Sequence, residues 1–320
     1  MSAGLGSDVF PPGRPKVREA RRSQKTAPEG LEPAAPCLLE QARTGDRGEA
    51  SREPRPARPR AVHDVTRVGA HFSVNDVSLR FGGVQAIGNV SFSVNQGEVF
   101  AIIGPNGAGK TSMLNVITRV FDPSSGSVVF EGQDITGLPR HKVVHSGIAR
   151  TFQNIELFEG GTVLDNLLLG RHRFAHGSFA AQWLWTPAVR AAEARSRAQV
   201  EVVIELLDLM PHRNSPVAGL PYGVRKVVEL ARALATQPRL LLLDEPASGL
   251  NPEETRDLAF WIDDIQQDLG ITVIMVEHDM SLVSEAADRV LCMNMGQVLA
   301  LGKPQEVQAD PAVIAAYLGG

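Results

Sequence analysis

The sequence predicts an α/β fold: a buried parallel sheet flanked by helices, an antiparallel β segment ahead of it, and a helical stretch inserted within it. Three observations carry this. Residues 99–103 and 240–243 are continuous apolar runs of strand length, residues 271–276 read as another buried strand, and helical patterns lie between them, as expected of strands covered on both faces. Residues 72–81 and 90–94 alternate apolar and polar instead, which suits half-buried antiparallel strands. Val200, Val203, Ile204 and Leu207 recur at helical spacing in a segment rich in Ala, Arg and Glu, which marks the insertion.

Taken in order, residues 1–62 carry nine prolines, twelve Lys+Arg against eight Asp+Glu, and almost no periodic apolar pattern. Such a segment buries too little apolar surface to offset its ordering entropy. It reads as a disordered, solvated tail without the apolar core of a secretory signal, and its basic run at 52–60 could touch anionic lipid or RNA. One folded domain is expected over residues 71–320. Its first strands use Phe72, Val74, Val77, Leu79 and Phe81, then Val90, Phe92 and Val94; Gln96-Gly97 turns the chain before Glu98. The buried run 99–103 leads through a glycine-rich loop into a helix with Met113, Leu114 and Ile117 on one face. The helical insertion spans about 153–235 and ends in a helix near 224–235. After the strand at 240–243, Leu258, Ile262, Ile265 and Leu269 form one face of an amphipathic helix, and the strand at 271–276 follows.

Composition removes several classes of function. Net charge is −4 over 320 residues, so no overall basic excess argues for nucleic acid as a partner. The two cysteines, Cys37 and Cys292, are far apart, which argues against a disulfide framework or a zinc site. The longest apolar runs fall far short of the ~20 residues that span a bilayer.

Two motifs carry chemistry. Gly104-Pro105-Asn106-Gly107-Ala108-Gly109-Lys110-Thr111, followed by Ser112, fits GxxxxGK[ST] between a strand and a helix, the context that motif requires. Its glycines let backbone N–H groups approach phosphate oxygens, and the following helix directs its positive end at the same anion. Lys110 is placed to reach the β- and γ-phosphates of a nucleotide and the Thr111 hydroxyl to ligate Mg2+. The second motif is the run at 240–243 ending in Asp244-Glu245-Pro246. Asp244, beside the phosphate loop, is the expected Mg2+ partner through water. Glu245 is placed as the general base that orients and polarises the attacking water.

These motifs alone allow a kinase, a GTPase or a helicase-like motor. Further residues narrow the choice, and with them about residues 72–319 resemble the ATP-binding subunit of ABC transporters. Gln153, in Arg150-Thr151-Phe152-Gln153, matches that family's Q-loop, which contacts Mg2+ and the membrane partner. Leu220-Pro221-Tyr222-Gly223-Val224 stands where the LSGGQ signature lies, and Ser248-Gly249-Leu250-Asn251 at the D-loop, with Asn251 replacing the usual aspartate. His278 matches the H-loop and Phe81 the aromatic that stacks on adenine. The resemblance implies an antiparallel β subdomain and a helical subdomain on a P-loop NTPase core. It also implies that His278 bonds the γ-phosphate and holds Glu245 and the water, and that the signature reaches ATP bound to a second subunit. Pro221 stands in place of the family's serine and has neither hydroxyl nor backbone N–H. Losing one charge-assisted hydrogen bond there would cost about 1.5–3 kcal/mol, so a heterodimer with unequal sites is a reasonable expectation.

Details such as residues 77–84, Arg150-Thr151-Phe152-Gln153-Asn154, the Tyr222-Gly223 variant, residues 247–252 and the ending at 313–318 look like the branched-chain amino acid importer subgroup. Implied partners are two membrane permease subunits, a second ATP-binding subunit (the same chain or a different one) and an extracytoplasmic substrate-binding protein, with the chain at the cytoplasmic face of the membrane. Urea or another small amide is the nearest rival cargo. A soluble, non-transport ATPase of the same family, acting in translation or DNA repair, is the rival class.

Overall fold

In the computed structural model, residues 71–151, 155–174, 183 and 186–318 are described, apart from the side chains of residues 173 and 188. The tail at 1–62 and Gln153 lie outside them. Two sheets organise the chain. The first has four strands in the order β2-β1-β4-β5, built from β1 (Phe72–Phe81), β2 (Val84–Val94), β4 (Ser125–Phe130) and β5 (Gln133–Asp134), every pair antiparallel. The second has six strands in the order β10-β9-β3-β8-β7-β6. Its members are β3 (Val99–Ile103), β6 (Ile148–Arg150), β7 (Leu240–Asp244), β8 (Thr272–Val276), β9 (Arg289–Asn294) and β10 (Gln297–Gly302). All neighbours pair in parallel except the edge strand β10.

The apolar runs are continuous because each strand feeds two cores. On β3, Val99, Ala101 and Ile103 enter the core shared with the helical stretch, whereas Phe100 and Ile102 enter the core shared with the antiparallel sheet. On β7, Leu241 and Leu243 face the first core and Leu240 and Leu242 the second; on β8, Val273 and Met275 oppose Ile274 and Val276 in the same way. A period of two with both faces dry confines polar residues to the strand ends, Thr272 at the start of β8 and Asp244 at the end of β7. The alternation in β1 changes parity between Val74 and Val77, where the register slips at a bulge and Asp76 adopts φ +47°. Ser91 fastens that bulge, its hydroxyl donating to Asp76 Oδ1 at 2.9 Å and accepting from Asp76 N at 2.8 Å.

Among the described residues the helices are α1 (Lys110–Ile117), α2 (Arg140–His145), α3 (Val163–Gly170), α4 (Pro187–Leu206), α5 (Tyr222–Ala235), α6 (Pro252–Gln267), α7 (Met280–Ala286), α8 (Pro304–Ala309) and α9 (Pro311–Leu318). Between β6 and β7 the described elements are α3, α4, α5 and short 3-10 turns. Val200, Val203 and Ile204 of α4, and Leu207 after it, are fully or nearly fully buried. Among the described residues no helix is long and apolar enough to cross a membrane.

Candidate functional site

Parallel registry brings the site together at one sheet edge. Ile102 on β3 and Asp244 on β7 both pair with Val276 of β8, so the three strands end side by side. Their C-terminal ends open into the phosphate loop, into Glu245 and into Glu277-His278. Clefts beyond the carboxyl ends of strands are where open α/β sheets bind ligands.

The phosphate loop lies between β3 and α1. Gly104 has φ +147° and Gly109, which caps α1, has φ +98°. A Cβ at Gly104 would lie 2.1 Å from the Met293 carbonyl oxygen, and one at Gly109 would lie 2.7 Å from that of Ala86. Glycine is required at both, for backbone conformation and for space. Pro105 is half-buried, Asn106 and Gly107 are exposed, and Ala108 is buried; Thr111 and Ser112 stand in the first turn of α1, exposed and half-buried. Lys110 is buried, and its Nζ donates to the carbonyls of Gly104 at 2.7 Å and Pro105 at 3.1 Å. Burial pushes its pKa down, opposed by Glu245, Cys292 and Asp244. A buried ammonium at the start of a helix suits a polyanion.

Asp244 is almost wholly buried, with Oδ2 2.7 Å from the Arg150 guanidinium, which also donates to Asn115 at 2.7 Å and Thr118 at 3.2 Å. Asp244 Oδ1 is buried and has no hydrogen-bond partner among the described residues. Unmet acceptors of this kind are rare, and a hydrated divalent cation held from the Thr111 side would satisfy it. Glu245 adopts φ +47° without being glycine. Three contacts around it fix the turn: its N–H donates to Val276 O at 2.9 Å, its carbonyl accepts from Lys226 Nζ at 3.1 Å, and Ala247 N donates to Glu277 Oε1 at 2.7 Å. His278 is more than half exposed, with Nδ1 3.9 Å from both Glu245 Oε2 and Glu277 Oε2. A base, a histidine and a lysine-bearing anion loop thus share one opening, an arrangement able to hold a triphosphate and direct water at its last phosphorus.

Phe81 ends β1 nearly half exposed, edge-on to Phe121 with ring centres 5.0 Å apart. The segment 220–224 differs from the sequence expectation in detail, because α5 begins at Tyr222 rather than near 224, with Pro221 as its N-cap residue at φ −53°. The fixed φ of proline suits that position. Pro221 and Tyr222 are exposed, Leu220 and Val224 half-buried. Tyr222 leans on the loop after β7, its hydroxyl donating to Ser248 O at 3.4 Å, and Gly223 abuts Glu254. Asn251 caps α6, with Oδ1 accepting from Glu253 N at 2.9 Å and Glu254 N at 3.0 Å. Asparagine caps as well as aspartate, so that local duty survives the replacement. A cleft of about 620 Å3 opens between α5 and α6 and shares Asp244 and Lys226 with the site.

Sequence reasoning passed over Lys226 and Glu277. Both are buried, yet each reads as an ordinary polar residue on a helix or after a strand. The one available signal was that Glu277 directly follows a fully buried strand whose next residue is His278. Burial holds the Glu277 carboxyl above the usual carboxylate range, against the amides of Ala247, Asp279 and His278, which favour its charged form.

Comparison with known proteins agrees with this geometry. Residues 87–248 match the family model described as ABC transporter, and residues 297–320 match one described as branched-chain amino acid ATP-binding cassette transporter. The high-affinity branched-chain amino acid transport ATP-binding protein BraF of Pseudomonas aeruginosa is 40% identical over 77% of this chain and 96% of its own length. The corresponding protein LivG of Escherichia coli strain K12 is 38% identical over 77% of this chain and 97% of its own. A nucleotide-free ATP-binding cassette from an ABC transporter superposes with a TM-score of 0.69 at 31% identity, covering 79% of this chain and all of that one.

Proposed function

This chain belongs to the ABC transporter family, and we propose that it is the ATP-hydrolysing subunit that powers uptake of branched-chain or other hydrophobic amino acids through separate membrane permease chains. The observation that carries the hydrolysis reading is the convergence of Lys110, Asp244, Glu245 and His278 beyond three adjacent strand ends. The cargo class rests on relatives named for branched-chain amino acid transport.

In this reading residues 104–112 and Lys110 hold the phosphates and Phe81 takes the adenine. Thr111 and Asp244, with Gln153, would hold Mg2+, which would supply positive charge beside the phosphates. Glu245 accepts the proton of the attacking water and His278 holds the terminal phosphate. Residues 220–224 serve the nucleotide of a second ATP-binding subunit, a reading supported by the exposure of Pro221 and Tyr222. Two permease subunits and an extracytoplasmic binding protein complete the importer, with this chain on the cytoplasmic face.

The test is reconstitution of the full chain with its permease pair and second ATPase in proteoliposomes. Leucine uptake that needs ATP and disappears with Lys110→Ala supports the reading. Uptake of urea without leucine overturns the cargo, and ATP turnover with no membrane partner recovered from the cell overturns the transport role.

A further inference from the structure

Glu277 is fully buried, and its carboxylate spans two loops. Oε1 accepts from Ala247 N at 2.7 Å, two residues beyond Glu245, and Oε2 accepts from His278 N at 2.9 Å and Asp279 N at 3.2 Å. Its own N–H donates to Ile102 O at 3.2 Å, on the strand that enters the phosphate loop. One residue therefore ties three segments that meet at the site, its carboxylate joining the Ala247 turn to the His278 loop and its backbone N–H joining both to β3. The chemistry calls for a carboxylate: three N–H donors converge on two oxygens, and an amide would turn its NH2 toward at least one of them. The held turn is also a strained one, since Glu245 sits at φ +47°, and such a conformation persists only where its surroundings over-determine it.

We propose that Glu277 is a positioning residue for ATP hydrolysis, setting the Glu245 turn and the His278 loop at their working separation. The inference rests on hydrolysis at this site. A displacement of about 1 Å in such an arrangement costs up to roughly 100-fold in rate.

The test compares Glu277→Gln, Glu277→Asp, Glu245→Gln and the double variant Glu245→Gln/Glu277→Gln in the full chain assembled with its partners. Both single Glu277 variants are expected to lower kcat at least about tenfold while KM for ATP moves less than about twofold, because the lysine loop is untouched. Aspartate keeps the charge but is one methylene too short to reach both loops, so retained charge does not rescue it. In the Glu245→Gln background, Glu277→Gln is expected to remove clearly less than it removes alone, since much of its effect runs through Glu245. Wild-type kcat in both Glu277 variants, a change confined to KM, or an additive double variant overturns the inference. So does loss of the folded chain in both, which assigns Glu277 to stability. If Glu245→Gln turns over ATP like the wild type, the hydrolysis reading itself fails; if it is inactive while the Glu277 variants are not, only the positioning role falls.

Discussion

Two turns flank the opening of the site, and they reach unusual backbone conformations by different means. The phosphate loop places positive φ at Gly104 and Gly109, where no Cβ opposes it. The turn after β7 places it at Glu245, where an L side chain costs about 1–2 kcal/mol. The first turn owes its conformation to glycine, with Ala108 O also accepting from Gly296 N at 3.0 Å. The second is held from outside, by Val276 on β8, Lys226 on α5 and Glu277 beyond β8. Strain at a non-glycine residue is tolerated where that residue's side chain is needed at the spot, and here the side chain is a carboxylate aimed at the opening.

The sharpest way to separate the two turns is Glu245→Gln. The amide fits the same space but accepts no proton, so turnover should fall about 100- to 10,000-fold, while ATP affinity, which belongs to the other turn, stays within a few-fold. Single-turnover hydrolysis and equilibrium nucleotide binding on the same sample read both. A parallel loss of affinity would mean that the two turns are not separable.

Next in size is Gly104→Ala. With φ at +147° and a backbone oxygen 2.1 Å from the new Cβ, neither strain nor clash can relax cheaply. A loss of about 2–4 kcal/mol in unfolding free energy is expected, measured by denaturant titration, and ATP binding should fall with it. A stable Gly104→Ala chain would show that Met293 yields, and the loop would then be less rigid than its contacts imply.

This contrast also explains what the sequence made legible. The phosphate loop was readable because its glycines, lysine and threonine lie within eight consecutive residues. The parallel strands were readable because two dry faces demand unbroken apolar runs. The clamp on Glu245 was not, because its parts come from positions 226, 276 and 277, and burial of a lysine or a glutamate follows from packing that no local pattern records. The parity change in β1 was visible as apolar spacing, but its cause, a bulge at Asp76 closed by Ser91, needed the partner strand.

Lys226→Met tests the clamp from the helical side. Methionine matches the stem and removes the ammonium from Glu245 O, so the buried charge and its desolvation cost vanish together with one hydrogen bond. These effects oppose each other, and unfolding free energy should move by less than about 1 kcal/mol. Turnover should drop about fivefold, because the turn loses one of its three fixed points. Steady-state ATPase assays beside thermal unfolding separate the two; a stability loss with unchanged turnover would assign Lys226 to packing.

The smallest effect on the fold, and the most telling about assembly, is expected from Pro221→Ser. A serine at the N-cap of α5 would accept from a first-turn N–H and add about 0.5–1 kcal/mol. Removing proline returns about 0.4–1 kcal/mol of freedom to the unfolded chain. The two nearly cancel, so the thermal midpoint should barely shift, and any change in turnover then reports the hydroxyl itself. Because Pro221 and Tyr222 at the start of α5 are exposed, the gain should appear at the nucleotide held by the partner subunit, as a several-fold rise in ATPase rate of the assembled complex. It should be absent from the isolated chain. An equal rise in both would place the segment against its own nucleotide, and no rise in either would remove it from the phosphate altogether.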